Sequence, residues 1–184
     1  MASRHLQYRL QGSPGRTAGA ALRHLLCFIA MSFFLAAGTP PPLKNAASSM
    51  DDLGKRVLEA VAKNDSKALD ALCLDEQEYH AYIWPELPIS RIPQWQKRYD
   101  YVWKDVNTKS RYGLQEMLAR YAGQTFKFKN IRYKRILDEY RNCTVYKDAI
   151  IIARDKSGAE KELKLFGSII KLGGHFKIVS YNLH

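Results

Sequence analysis

Acidic side chains are absent from the first 38 residues, which carry four arginines, Arg4, Arg9, Arg16 and Arg23. A run long enough to span a bilayer is also missing from this part of the chain. Leu25–Gly38 (LLCFIAMSFFLAAG) offers 14 residues, where about 20 apolar residues are needed. A basic start, a short apolar stretch and the small residues Ala36 and Gly38 before Thr39 together make a secretory signal over residues 1–38. The expected location is therefore periplasmic or secreted. The alternative is an uncleaved amino-terminal segment that anchors the protein to a membrane. Cys27 sits inside the apolar run without the preceding small residue that lipid attachment requires.

Cysteine is scarce, and that excludes a disulfide-dense scaffold. Beyond the signal only Cys73 and Cys143 remain. They either close one disulfide in an oxidising compartment or pack separately as small hydrophobes. Catalytic signatures are lacking as well. No serine carries a nucleophile motif, and Gly167, Gly173 and Gly174 do not form a phosphate loop. His80, His175 and His184 are not spaced as metal ligands. No metal or cofactor is expected.

Charge of one sign is in excess. With the four signal arginines set aside, 25 of the 29 basic side chains remain against 18 acidic ones, a net +7. In an exported protein this favours an anionic envelope surface, or simple solubility, over nucleic acid. Lys127, Lys129, Arg132, Lys134 and Arg135 interleave with Phe126, Phe128, Ile131 and Tyr133. A nucleic-acid reader can show that pattern. A strand with an apolar inner face and a charged outer face shows it too, and is far commoner, so nucleic acid is not the expected partner.

The most legible stretch is Leu163–Leu183. Gly173 and Gly174 separate two apolar runs, as a two-residue hairpin turn with positive φ demands. Centring the turn there pairs Leu172 with His175, Lys171 with Phe176, Ile170 with Lys177, Ile169 with Ile178 and Ser168 with Val179. Side chains alternate between faces, and both resulting sets are largely apolar. A sheet with one solvated face would show a cleaner alternation. One face is expected to take this chain's helices. The other takes another segment or a partner chain, as in a homodimer through the sheet, or is a somewhat apolar face open to solvent.

Upstream, Thr39–Ala47 (TPPPLKNAA) reads as an extended proline-rich linker, leaving residues 48–184 as one domain. Ser48 or Ser49 caps an amphipathic helix to about Lys63, carried by Leu53, Val57, Leu58 and Val61. Asn64-Asp65-Ser66 ends it and starts a short helix to Cys73. Asp75 caps a third segment in which Tyr79, Tyr82 and Ile83 share one side. Pro85, Pro88 and Pro93 interrupt regular structure before a long helical stripe from Gln94 to Tyr121, with a kink or break expected near Asn107–Gly113. Four strands follow: Phe126–Tyr133 with a bulge near Asn130, Cys143–Ala153, Lys161–Leu172 and His175–Tyr181. Helices first and antiparallel strands afterwards define an α+β fold.

The helical pattern VLEAVAKNDSKALDALC, the sheet after it and the closing hairpin GSIIKLGGHFKIVSYN resemble the nuclear transport factor two-like family. This is the cystatin-like cone shared with SnoaL-like and ketosteroid isomerase proteins. The resemblance covers about Met50 to His184 and is that of a bacterial exported member. It implies amino-terminal helices packed on a curved antiparallel sheet of about four strands, with a pocket between them. In the family's enzymes an acid or histidine in that pocket is the general base, and a tyrosine or second acid holds the oxyanion.

By that analogy the ingredients for catalysis here are Asp100, Asp105 and Tyr133. A carboxylate on a long helix is more often solvated or salt-bridged. Tyr79, Tyr82, Trp84, Trp95, Tyr99 and Trp103 are the candidates for pocket lining. Aromatics at this density also serve as ordinary core. The expected function is a non-catalytic module that binds a small apolar ligand or a partner protein. The alternative is an isomerase or dehydratase acting on a small molecule through an acid in the pocket.

Overall fold

The computed structural model describes residues 42–137, 140–141 and 143–181. The expected signal over residues 1–38, the start of the proline-rich stretch and His184 lie outside them. The architecture is mixed helix and antiparallel sheet.

Helix α1 (Met50–Ala62) begins at Ser49, whose Oγ accepts from the Asp52 amide at 3.0 Å, while Asp51 and Asp52 sit in the first turn. That placement satisfies an otherwise unpaired amide and opposes the positive end of the helix dipole. Leu53, Val57, Leu58 and Val61 are buried, as their spacing predicts. Asn64 adopts φ 54° and reverses the chain. Asp65 then caps α2 (Ser66–Ala71).

Asp75 and Glu78 form a reciprocal capping box around α3 (Glu76–Glu78). The chain continues as a wide π turn, Tyr79–Ile83, and two 3-10 turns, Trp84–Glu86 and Pro88–Arg91. Short α4 (Pro93–Gln96) precedes α5 (Tyr99–Tyr121). The break in the long helical run therefore falls at Lys97-Arg98, not near Asn107–Gly113. Gly113 is buried within an unbroken helix.

The strands are β1 (Lys127–Arg132), β2 (Arg135–Leu137), β3 (Thr144–Lys147), β4 (Ile150–Arg154), β5 (Glu160–Leu163), β6 (Ser168–Leu172) and β7 (His175–Ser180). They form two antiparallel sheets, ordered β1-β4-β5 and β2-β3-β6-β7. The expected single sheet of four strands is thus divided. The expected strands Cys143–Ala153 and Lys161–Leu172 each break in the middle, and their halves join different sheets, while the first expected strand holds β1 alone and β2 is an additional strand beyond it. Backbone bonds from Lys134 N to Lys147 O (3.1 Å) and from Ala149 N to Gly167 O (3.3 Å) carry the pairing across the break. The bulge lies between Phe128 and Asn130, where the alternation slips.

In the β6–β7 hairpin, Gly173 and Gly174 take φ of 54° and 85°. Pairing from Leu172–His175 to Ile169–Ile178 follows the register expected from the glycines. Beyond it the ladder shifts, and Ser168 faces Ser180 instead of Val179.

Both faces of this hairpin are buried by the chain itself. Ile169 and Ile178 join a core with Leu53, Val57, Leu69 and Met117 from α1, α2 and α5. Ile170 joins a second core with Tyr79, Tyr82, Ile83, Trp84 and Val145. The second cover is therefore the irregular segment after Asp75.

The outer edge of β7 is closed too. Ala47 exchanges two 2.9 Å backbone bonds with Phe176, and Ile178 bonds to Leu72 O and Leu74 N at 2.9 Å each. The end of the expected linker, with Ala47 fully buried, is thus part of the fold. A protected edge removes a template for pairing with other chains.

Candidate functional site

Among the described residues, the one buried ion pair joins Lys177 of β7 to Glu78 of α3. Lys177 Nζ lies 2.7 Å from Glu78 Oε2, and the two side chains are 2% and 1% exposed. The pair is well served. Glu78 Oε2 also accepts from the Asp75 amide at 2.9 Å, and Oε1 accepts from the Lys44 amide at 2.6 Å. Lys44 Nζ reaches back to Asp75 Oδ2 at 2.9 Å. Burial opposes ionisation of Asp75, but the Glu78 amide and Lys44 outweigh it and hold its carboxyl below the usual range. The arrangement ties residues 44, 75–78 and 177 into one alternating charge network. Its acids already have partners, so it offers a substrate no free base.

The residues expected to act in a pocket are not brought together. Asp100 is exposed in the first turn of α5. Asp105 is exposed and paired with Lys109 at 2.7 Å. Tyr133 is 40% exposed and meets Tyr146 edge to face at 4.8 Å between ring centroids, away from both aspartates in sequence and element. The aromatic group behaves as core. Tyr79, Tyr82 and Trp84 are buried, with Tyr99 and Trp103 half-buried beside them. Tyr79 meets Trp103 at 5.4 Å and Trp84 meets Tyr99 at 5.3 Å. Trp95 stands apart, half-exposed, with the Arg98 guanidinium 5.5 Å from its ring.

Cys73 and Cys143 are both buried and free. They belong to different cores, so the structure holds no bridge between them. Cys73 Sγ lies 3.8 Å from Ser110 Oγ, and Cys143 Sγ points at Tyr82 O, also at 3.8 Å. Burial pushes each thiol up to about 11, so both stay protonated and unreactive at neutral pH.

Two open grooves flank α2. One, of about 320 Å³, runs past Arg56, Glu59, Lys63 and Asp65. Its charges are used internally: Lys63 pairs with Glu59 at 2.6 Å, Arg56 donates to Ala46 O at 3.2 Å, and Asp65 caps α2. The other, of about 380 Å³, lies between α2 and α5 and is lined by Lys67, Asp70, Arg111, Leu114, Gln115 and Leu118, with Ser66 at its end. A separate narrow cavity of about 20 Å³ shares Asp70, Arg111 and Leu114 with it and is lined also by Cys73, Ser110 and Tyr181. Ser110 anchors this wall, its Oγ accepting from the Tyr181 amide at 3.0 Å.

Neither the groove nor the buried pair was anticipated from sequence. The pair had a signal: Lys177 stands opposite Ile170 in the glycine-centred register, an inward position, and Asp75-Glu76-Gln77-Glu78 has capping-box spacing. Compared with known protein families, curated proteins and solved structures, the chain matches none.

Proposed function

We propose that this chain is an exported, non-catalytic binding module with a cone-like fold, which holds a partner protein on an open groove. The carrying observation is the packing of Tyr79, Tyr82, Trp84, Tyr99 and Trp103 against one another, where a substrate pocket would require them to stand apart. The engagement of both acids that are buried among the described residues supports the same reading. Glu78 is held by Lys177, and Glu86 accepts from the Arg141 amide at 3.2 Å. The bent four-run meander, with helices against it, supports the cone.

Native mass spectrometry of the purified full chain tests this reading. The expected spectrum shows the polypeptide mass with no retained small molecule. A stoichiometric small ligand that survives purification and leaves on collisional activation overturns it in favour of a ligand carrier or enzyme.

A further inference from the structure

We propose that the groove between α2 and α5 docks an acidic peptide segment of a partner protein. This deepens the binding-module reading and rests on it. Leu114, 8% exposed, and Leu118 lie one helical turn apart and make an apolar floor. Lys67 on α2 and Arg111 on α5 form the walls, and neither enters an ion pair among the described residues. The neighbouring groove differs here, because its Lys63 is already matched to Glu59. Unmatched cations beside a floor in which Leu118 is partly exposed and Leu114 buried complement carboxylates that flank an apolar side chain.

The lining carries one acid, Asp70, against two cations. Its carboxylate can accept a backbone amide from an extended occupant. The seven-residue advance from Arg111 to Leu118 covers about 10 Å of helix, or about three residues of extended chain. That length suits a peptide better than a single small anion. Both cations are exposed, so attraction is screened by salt and acts strongly on the association rate.

The test is fluorescence anisotropy of a labelled acidic nonapeptide with one central leucine, titrated with the full chain at low and high salt. Its counterpart has glutamine in place of every acid. The acidic peptide binds, and the neutral one does not. Joint replacement Lys67→Glu and Arg111→Glu weakens binding by about tenfold or more. Lys97→Glu with Lys104→Glu makes the same change in net charge outside the groove and alters binding by less than about twofold. Circular dichroism confirms the fold of each variant.

Equal losses in the two double variants overturn the proposal. So does binding of phosphatidylglycerol vesicles in preference to the peptide, since that identifies a diffuse anionic surface as the target. Absence of peptide binding overturns the groove assignment alone, provided the native mass spectrum is free of small ligand. A retained ligand overturns the underlying reading instead.

Discussion

One face of the β6–β7 hairpin meets the regular helices α1, α2 and α5. The other meets a segment of short turns from Asp75 to Arg91. Behind the first face, burial is almost wholly apolar, and each side chain contributes through its own contacts. Behind the second, Ile170 shares its surface with Lys177, whose ammonium needs Glu78. Glu78 in turn needs the cap at Asp75 and the Lys44 amide to hold its orientation. The first cover is a sum of parts, whereas the second stands or falls as a unit.

The sharpest way to break the comparison is Glu78→Gln. It keeps one oxygen, enough for either the Asp75 or the Lys44 amide but not both, and leaves Lys177 buried without a counter-charge. The expected loss is about 3–5 kcal/mol, read from urea unfolding. Adding Lys177→Met in the same chain restores most of it. If the two changes simply add, the cap holds the segment and the charges do not.

On the first cover, Gly54→Ala should cost about 1–3 kcal/mol. A methyl group there would run into the Phe128 ring where α1 crosses β1. The same change in an open helix gains about 1 kcal/mol. A rise in thermal midpoint would show that half-buried Phe128 has room to turn aside. The smallest effect belongs to Lys129 and Glu160, paired at 2.7 Å but about half exposed. A double-mutant cycle to alanine should give a coupling below about 1 kcal/mol. A coupling as large as that of the buried pair would erase the distinction.

The first cover was readable because its parts are periodic. Leu53, Val57 and Val61 recur every four residues, and the two glycines centre a register that holds over four successive pairs. That register fails at Ser168, because Gly167 and Ser168 carry too little hydrophobic contrast to announce a bulge. The division into two sheets was hidden for a similar reason. It occurs at polar or small positions such as Lys134, Asp148 and Gly167, where the apolar pattern gives no signal. The second cover was half-readable. Tyr79, Tyr82 and Ile83 do share a buried side, but prolines mark where helices end without saying what the segment then packs against. The groove between α2 and α5 could not be read at all. It depends on two helices meeting, and on which of their cations remain unpaired once they do.

The sealed edge of β7 bears on how the molecule comes to be folded. The strand holds residues that precede it by most of the domain: Lys177 reaches Glu78 across 99 positions, and Tyr181 Oη donates to Leu69 O across 112. Such distant pairings cost loop entropy before they return any stabilisation, and folds rich in them fold more slowly than folds built from local contacts. Without β7, Ala47 and Leu72 lack the backbone they pair with, and Glu78 lacks its counter-charge Lys177.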